Sequence, residues 1–401
     1  MTEIVNDSIE EIRIGDVIEV DIEKVANGGF CIARHLGRVV FVRHAIPGER
    51  VKAEITDITK KFLRADAVNV VVASPHRVVA PCKYSGTCGG CDWQHVSIEH
   101  QRELKSSVIR EQLGHLAKLT HVNGRPLEEF SVSAMGPGDT GLRWRTRNRY
   151  GRSGGSEVGL NMSRSHTVVE IDDCLIAVEG SVVLAQASTA VATKDIATVR
   201  TSQGKHVVVD PRNGPIVDEQ VHGRTWHIHA ASFWQVNERA PETFVSTVRE
   251  MADLRPGESL LDLYSGAGLF AASLAADVGP SDEVIAVESS VDAVRDARRS
   301  CSDIAQLQLV TADVNRWVLA NSKELFDVVV LDPPRAGAGI ETVGLISHMA
   351  KQRIIYVACE PSALARDTAV LLSMGWHLEK LVAYDAFPMT AHVETIALFM
   401  R

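Results

Sequence analysis

The part of the chain from about residue 231 to residue 401 alternates short apolar runs with segments of helical length. The apolar runs are SLLDLY, VIAVE, LQLVT, DVVVLD, IIYVAC, LEKLVAYD and TIALFM. Strands that alternate with helices are typical of a mostly parallel sheet with helices on both faces. We therefore predict an α/β fold with a Rossmann-like sheet for residues 231–401, in which the last two strands form a closing, hairpin-like pair.

The N-terminal part has a different pattern. Between residues 14 and 72, about five short apolar runs are separated by Gly and Pro, which predicts a small antiparallel, OB-like β-barrel. The segment from Ile98 to Leu116 then has helical spacing, and the stretch from about 120 to 230 is interpreted as β-rich. We expect three domains: a barrel at 10–72, a central domain at 73–230 and the α/β domain at 231–401.

A turn of small residues follows the first predicted strand of the α/β domain. It comprises Ser265, Gly266, Ala267 and Gly268 and precedes a helical segment. Glycine lets the backbone approach a ligand closely, and open α/β sheets bind nucleotides at the carboxyl ends of their strands. Glu288 ends the next strand, where a carboxylate accepts hydrogen bonds from ribose hydroxyls. NAD binding and a turn without a ligand are the alternatives.

Four further side chains follow or begin predicted strands. Asp313 comes after the third strand and could bond an adenine amino group or cap a helix. Asp332 and Cys359 end two neighbouring strands, so both should face the crevice of the predicted nucleotide site. A cysteine after an apolar strand is more often inert and buried, and Glu394, at the start of the last strand, could be a solvated edge carboxylate.

Seven cysteines occur, and Cys82, Cys88 and Cys91 lie close together with the spacing C-x5-C-x2-C. Cys174 offers a more distant fourth thiolate. With no leader pattern and no apolar run of membrane-spanning length, the chain is expected in the reducing cytoplasm, where clustered cysteines indicate metal or cluster ligation. By spacing, four thiolates suit zinc and a 4Fe-4S cluster equally well.

The formal net charge of -9 argues against extensive wrapping of nucleic acid, which needs clustered Lys and Arg. Residues 142–152 nevertheless carry five arginines interleaved with Trp144 and Tyr150, a composition found where phosphates are held and bases are stacked. A half-exposed strand would give the same alternation. Basic residues of the barrel could extend such a track: Arg34, Arg38, Arg43, Lys60, Lys61 and Arg64.

Five motifs recur in order along the chain: FWQVN at 233–237, DLYSGAGLF at 262–270, DPPRAG at 332–337, YVACEPSALARD at 356–367 and HVET at 392–395. In these motifs the sequence resembles the RNA uracil-C5 methyltransferases, which form 5-methyluridine in bacterial 23S rRNA and in tRNA. The N-terminal barrel is similar to a TRAM domain. Together with the cysteines, the resemblance covers nearly the whole chain.

The resemblance implies an S-adenosylmethionine-dependent enzyme of the class I methyltransferase fold that acts on RNA, with Cys359 as nucleophile and Glu394 as base. It implies that S-adenosylmethionine or the target uracil contacts Gln235, Tyr264, Glu288, Asp313 and Asp332. It favours 23S rRNA over tRNA and a 4Fe-4S cluster on Cys82, Cys88, Cys91 and Cys174. The protein is also expected to be a monomer without membrane association. Two positions depart from the family: Ser265 is often Cys, and Leu269 replaces a cofactor-contacting Asn.

Other protein classes use only part of these features. An NAD-dependent oxidoreductase would use the glycine turn but has no use for Cys359 paired with Glu394. A radical enzyme would carry a C-x3-C-x2-C run with an open iron, which differs from the spacing here. A non-catalytic RNA-binding protein would need only the barrel and the arginines.

Overall fold

The computed structural model describes residues 12–152, 157–188, 194–210, 214–280 and 282–401. The start of the chain, where no leader was expected, and residues 10 and 11 of the predicted barrel domain lie outside the described residues. Within these ranges, no helix has both the length and the apolar character needed to cross a membrane.

The N-terminal region is a six-stranded sheet that wraps around an apolar core. Its strands are β1 (Val17–Asp21), β2 (Lys24–Val25), β3 (Cys31–His35), β4 (Arg38–Arg43), β5 (Arg50–Ile58) and β6 (Phe62–Val72). Their order is β1-β5-β6-β4-β3-β2, and β1 also packs against β3. Alternate side chains such as Val20, Val42 and Ile55 are buried in the core. The predicted barrel is confirmed, with two differences: the very short β2 is an addition to it, and β4 and β6 pair in parallel, whereas an antiparallel barrel was predicted.

The central region begins with α1 (Ile98–Leu116), which spans the predicted helical segment and buries its apolar face. Smaller elements follow: β7 (His121–Val122), β8 (Arg125–Pro126), a 3-10 turn (Leu127–Glu129), β9 (Ser133–Ala134), β10 (Arg147–Arg152), β11 (Val158–Asn161), β12 (Val168–Glu170), α2 (Ser181–Ala187), β13 (Asp195–Arg200) and β14 (His206–Val209). Five of them form an antiparallel sheet in the order β12-β11-β10-β13-β14. The β-rich character predicted for this region is confirmed.

The C-terminal region contains the predicted α/β fold, and two strands between residues 216 and 229, which the predicted boundary at residue 230 assigned to the central domain, pack into its core. Its elements are β15 (Ile216–Val221), β16 (Arg224–His229), α3 (Ala240–Ala252), β17 (Leu260–Leu263), α4 (Leu269–Leu274), β18 (Val284–Glu288), α5 (Val291–Ser300), β19 (Leu307–Thr311), α6 (Val314–Ala320), β20 (Phe326–Leu331), α7 (Ile340–Met349), β21 (Ala350–Ala358), α8 (Pro361–Ser373), β22 (His377–Asp385) and β23 (Glu394–Met400). An eight-stranded sheet has the order β19-β18-β17-β20-β21-β23-β22-β9, so a strand of the central region completes one edge.

Both faces of the middle of this sheet are buried, which explains why its inner strands, such as β18 and β20, are apolar at most positions. Leu260 and Val330 pack with Phe244 of α3 and Phe270 of α4 on one face. On the other face, Leu261, Val329 and Tyr356 pack with side chains of α1, α6, α7 and α8. Because a central-region helix covers part of this second face, the two regions share one core.

The strand order brings chemically active strand ends together. Strands β17, β18, β20 and β21 are parallel and end at the same edge. The last two strands do form the expected antiparallel pair, but β23 inserts between β21 and β22. Ala358 pairs with Thr395, so Cys359 and Glu394 lie opposite each other at the next position along these strands.

Candidate active site

A cavity of about 1360 Å³ opens at the carboxyl edge of the C-terminal sheet. The carboxyl ends of the five parallel strands β17 to β21, the start of β23 and the loop before α3 all contribute to its wall. Every residue predicted from the sequence for the cofactor, the nucleophile and the base lines this one cavity: Gln235, Tyr264, Glu288, Asp313, Asp332, Cys359 and Glu394. The fold therefore brings together residues that lie up to about 160 positions apart in the sequence.

The turn after β17 forms one side of the cavity. Tyr264 has a φ of 61°, which is unusual for a residue with a large side chain, and Gly266 and Gly268 follow with φ of 55° and 80°. Glu288 accepts hydrogen bonds from the backbone N–H of Gly266 at 3.0 Å and of Ser290 at 2.7 Å. These bonds hold the turn and the carboxylate together. Leu269, which replaces an amide in the family pattern, also lines the cavity and offers no polar group.

Asp313 caps helix α6. Its side chain accepts a hydrogen bond from the backbone N–H of Arg316 at 3.0 Å, and the residue also lines the cavity. The helix-cap interpretation of Asp313 is therefore confirmed. A contact with adenine stays a prediction, since capping uses only one carboxylate oxygen.

The thiol of Cys359 and two carboxyl groups share the far side of the cavity. Cys359 is partly buried between the end of β21 and the start of α8, and Glu394 is only 5% exposed. The hydroxyl of Thr395 donates a hydrogen bond to the Ala358 carbonyl at 2.9 Å, which fixes the two strand ends against each other. Asp332 follows β20, and its backbone N–H donates to the Leu263 carbonyl at 3.2 Å.

Desolvation raises the pKa of all three groups, and negative neighbours add to the rise for Cys359 and Glu394. Desolvation, with the carboxylates of Glu394 and Asp332, raises the pKa of Cys359 to about 12, although Arg335 acts in the opposite direction. Desolvation raises the pKa of Asp332 to about 7. Desolvation and the nearby Asp332 raise the pKa of Glu394 well above its usual value. A carboxylate with a raised pKa is a stronger base than an exposed one, which suits Glu394 to proton abstraction.

Several residues in or next to the cavity were not predicted from the sequence, and one of them, Asp262, lies two residues before Tyr264 without lining the cavity itself. Asp262 is fully buried in β17; its Oδ2 accepts from the Ala271 N–H at 2.8 Å, and its Oδ1 has no hydrogen-bond partner in the described structure. Desolvation raises the pKa of Asp262 to about 8. A carboxylate inside an apolar strand was the signal that could have identified it. Phe233, Arg335 and His392 also line the cavity, and all three stand inside the quoted motifs.

The loop that carries Phe233 and Gln235 is anchored at both ends. At one end the Ser232 hydroxyl donates to the buried carboxylate of Asp296 at 2.6 Å. At the other end the Asn237 side chain donates to the Ala386 carbonyl at 2.9 Å. Phe233 itself is 75% exposed. An aromatic ring held in this exposed position at a cavity wall can stack on a planar ligand.

The four predicted ligand thiols also converge, although Cys174 is far from the others in sequence. Cys82, Cys88, Cys91 and Cys174 line one small cavity of about 20 Å³. Donors point at the sulfur atoms: the Gly90 N–H lies 3.4 Å from the Cys88 sulfur, and the Gln94 amide lies 3.2 Å from the Cys91 sulfur. In the part of the chain that the structure describes, no set of three or more His, Cys, Asp or Glu is arranged as a metal-ion site.

The side chains of the arginine-rich stretch, residues 142–152, are less accessible to RNA than the composition of the stretch predicted. Arg147 is buried and forms an ion pair of 2.7 Å with the buried Glu219. Trp144 and Tyr150 are buried in the core of the central region. The interpretation of this stretch as an open phosphate-binding and base-stacking surface is therefore wrong for these three residues, because the strand turns them inward. Arg145 differs, since it lines the active-site cavity.

Comparisons with known proteins agree with this geometry. Residues 12–68 match the model of the TRAM domain, and residues 183–401 match that of tRNA (uracil-5-)-methyltransferase. An uncharacterised RNA methyltransferase of Streptomyces coelicolor is 38% identical over 96% of this chain and 93% of its own, and one of Bdellovibrio bacteriovorus is 35% identical over 96% of this chain and 95% of its own.

A solved structure shares the overall fold. The Pyrococcus abyssi tRNA (uracil-54, C5)-methyltransferase, in complex with S-adenosyl-L-homocysteine, superposes with a TM-score of 0.72 at 23% identity, over 96% of this chain and 100% of that one. From the family model and the relatives, the chain belongs to the tRNA (uracil-5-)-methyltransferase family of S-adenosylmethionine-dependent RNA methyltransferases.

Proposed function

We propose that this protein methylates carbon 5 of one uridine in RNA through a covalent bond between Cys359 and carbon 6 of the base. The observation that carries the proposal is the strand register: Ala358 pairs with Thr395, so Cys359 and Glu394 face each other in a single cavity. A nucleophile and a base at adjacent positions are what addition to, and proton removal from, one ring require.

The residues of the cavity fit S-adenosylmethionine. Gly266 leaves open space where a side chain would stand, Glu288 can accept from ribose hydroxyls, and the carboxyl group of Asp332 complements positive charge. Gln235, Tyr264 and Asp313 complete the proposed set of contacts. When bound, S-adenosylmethionine supplies the methyl group that carbon 5 takes up.

Cys359 and Glu394 perform the remaining steps. The Cys359 thiolate forms a bond to carbon 6, and the π electrons of the C5–C6 bond move toward carbon 5 and the O4 carbonyl, so that carbon 5 becomes nucleophilic. After methylation, Glu394 removes the proton from carbon 5. The electrons of that C–H bond restore the C5–C6 double bond, and Cys359 leaves as a thiolate. The raised pKa of Glu394 favours this proton transfer.

The target base must leave its stack to reach a partly buried thiol. Phe233 is 75% exposed at the cavity wall, and we propose that it stacks on the flipped uracil. Arg145 lines the cavity and packs on the Trp144 ring at 5.9 Å, and we assign it to an RNA phosphate near the target.

Reaction with RNA that contains 5-fluorouridine tests the covalent mechanism, because fluorine cannot leave as a proton does. The unaltered enzyme should form a stable, methyl-labelled protein–RNA adduct on denaturing gels. Cys359→Ala should form none and transfer no methyl, because the nucleophile is missing. Cys301→Ala is the matched control, since Cys301 is a buried thiol outside the cavity. Methylation by Cys359→Ala at an undiminished rate would contradict the covalent mechanism.

We propose 23S rRNA as the substrate, because the combination of a TRAM barrel and a cysteine cluster resembles the rRNA-modifying members of the family. A tRNA is the second candidate, which the description of the matching family favours. Mapping 5-methyluridine in the rRNA and tRNA of a deletion strain distinguishes them. Loss of one rRNA methylation with tRNA unchanged is expected, and loss confined to tRNA would overturn the choice of rRNA.

We further propose that Cys82, Cys88, Cys91 and Cys174 hold a 4Fe-4S cluster. The fit rests on four convergent thiols that line one small pocket, with N–H groups donating to two of the sulfurs, as sulfur ligands of clusters commonly receive. Bound there, the cluster would connect the segment before α1, which carries Cys82, Cys88 and Cys91, to the loop after β12, which carries Cys174. Anaerobically purified protein should contain about four iron and four sulfide ions per chain; stoichiometric zinc without iron would contradict this assignment.

A further inference from the structure

One turn of the N-terminal barrel reaches the active-site edge. The turn between β2 and β3 is closed by a hydrogen bond of 2.6 Å from the Ala26 N–H to the Phe30 carbonyl. Its tip contacts both chain segments that carry the proposed nucleophile and the proposed base. Neither contact has a part in the reaction described above, and both come from a region outside the C-terminal sheet.

The first contact is with the segment of Cys359. The Asn27 side chain donates a hydrogen bond of 2.5 Å to the carboxylate of Glu360, the residue that directly follows Cys359. It also lies 3.3 Å from the hydroxyl of Ser362, which itself donates to Glu360 at 3.0 Å. Glu360 occupies the N-cap position of α8 without capping it through its side chain. The carboxylate of Glu360 is thus hydrogen-bonded to a side chain of the barrel.

The second contact is with the loop that leads into Glu394. A side chain at Gly29 would put its Cβ 2.4 Å from the Cβ of Ala391, so only glycine fits the present approach. The Gly29 carbonyl accepts a hydrogen bond of 3.1 Å from the buried indole of Trp93. Only two residues, His392 and Val393, separate Ala391 from Glu394 in the chain. A displacement of Ala391 is therefore passed on to the base within a few residues.

The central region fixes the same loop from a third direction. The backbone N–H groups of Asp92 and Trp93 both donate to the Met389 carbonyl, at 2.9 and 3.0 Å. The fully buried amide of Gln101 accepts from the Met389 N–H at 2.8 Å. Met389 has a φ of 66°, a conformation that needs such support in a residue with a side chain. The loop before Glu394 is therefore held largely from outside its own sheet.

We propose that Asn27 and Gly29 of the barrel are positioning residues of the active site. Asn27 orients the turn of Cys359 through Glu360, and Gly29 sets the position of the Glu394 loop through Ala391. The barrel would then act on the chemical steps as well as on RNA binding. This inference rests on the proposed roles of Cys359 and Glu394.

The two contacts can be broken separately in the full-length protein. Gly29→Ala should slow resolution of the adduct roughly tenfold, so that methyl-labelled protein–RNA persists with ordinary uridine RNA, as expected for a displaced base. Asn27→Ala should slow formation of the 5-fluorouridine adduct about fivefold, the factor that corresponds to one exposed hydrogen bond. Affinities for S-adenosylmethionine and for RNA should stay within about twofold of the unaltered enzyme, because neither residue lines the cavity.

The chain supplies a matched control for each variant. Gly28 has nearly the same φ as Gly29, 88° against 84°, but a Cβ there meets only the Phe30 ring at 3.8 Å. Gly28→Ala therefore measures backbone strain without the clash. Ala391→Gly in the Gly29→Ala background should restore the resolution rate, since it removes the colliding Cβ. Asn69, an exposed barrel residue, serves as the control for Asn27.

The outcomes separate this inference from the function on which it rests. If the unaltered enzyme forms no adduct, the covalent mechanism fails. If the unaltered enzyme forms the adduct but Asn27→Ala and Gly29→Ala match their controls in both steps, the positioning role is overturned. If Gly29→Ala lowers the melting temperature strongly, Asn27→Ala, a change at an exposed side chain, still decides the matter. Rescue by Ala391→Gly would establish that the contact itself matters.

Discussion

Two regions of this protein concentrate charged side chains, and they use them in opposite ways. At the carboxyl edge of the C-terminal sheet, Asp332, Glu394 and Arg335 face a shared cavity and shift the pKa of one another or of Cys359. In residues 142–152, Arg147 is instead engaged by a buried carboxylate, and Arg143 forms a bidentate pair with Asp173. The density of charged residues in a sequence therefore does not show whether they act in a reaction or stabilise the fold. That depends on whether each charged side chain is held by an opposite charge in the folded structure.

The largest effect is expected at the catalytic edge. Glu394→Gln leaves thiol addition and methyl transfer possible but removes the proton acceptor, so product release should slow by roughly 10²- to 10⁴-fold. The methylated, Cys359-linked RNA should accumulate on denaturing gels with labelled S-adenosylmethionine and ordinary uridine RNA. Glu341→Gln serves as a comparison, because Glu341 is exposed in the first turn of α7 and does not line the cavity. Normal turnover by Glu394→Gln would remove this residue from proton transfer.

The next largest effect should be on stability, in the arginine-rich stretch. Arg147→Met leaves the buried carboxylate of Glu219 without its partner and should lower the free energy of unfolding by about 3–5 kcal/mol. Denaturant unfolding measures it. Arg149→Ala is the matched control, since its side chain is 65% exposed and pairs with Asp195 at the surface; we expect a change of at most about 1 kcal/mol. Equal losses of unfolding free energy in both variants would show that burial does not determine how much these two arginines contribute to stability.

Arg145 should behave as the one arginine of the stretch that joins the catalytic region. Arg145→Ala should weaken RNA binding roughly tenfold and reduce the slope of log affinity against log salt by about 1, as loss of one phosphate contact does. Filter binding at several salt concentrations gives both values, again with Arg149→Ala for comparison. An unchanged salt slope in correctly folded Arg145→Ala would show that Arg145 stabilises the central region and does not bind a phosphate.

The smallest effect is a shift in pH dependence. The thiolate of Cys359 exists above its pKa, so the rate of adduct formation should rise with pH. Arg335 lowers that pKa, and Arg335→Gln should therefore move the rise to higher pH, while Asp332 and Glu394 act in the opposite direction. Single-turnover adduct formation between pH 6.5 and 10 would measure it, with Arg298→Gln as a control on an exposed helix face. A shift to lower pH would contradict the assigned sign.

Much of the fold followed from local pattern. The period of apolar residues predicted α1 over the residues it occupies, and the short apolar runs predicted β17, β18 and β20 close to their observed bounds. The strand-end positions of Glu288, Asp332 and Cys359 likewise predicted that these residues share one edge. These features depend on near neighbours in the chain, which a sequence displays directly. The order of strands does not, and the insertion of β23 beside β21 could not be read from spacing.

What the sequence by itself determined is therefore the kind of site and its residue types: a small-residue turn after a strand, acids at strand ends, a cysteine at a strand exit and a family pattern that names their roles. Tertiary structure decided which charges are free to act. It turned Arg147 inward onto Glu219, left Arg145 at the cavity, and placed Asn27 and Gly29 of the barrel against the segments of Cys359 and Glu394. The physical reason is that the pairing and the desolvation of a charged side chain depend on contacts between segments that are distant in the sequence. The local spacing of apolar and polar residues carries no information about such contacts.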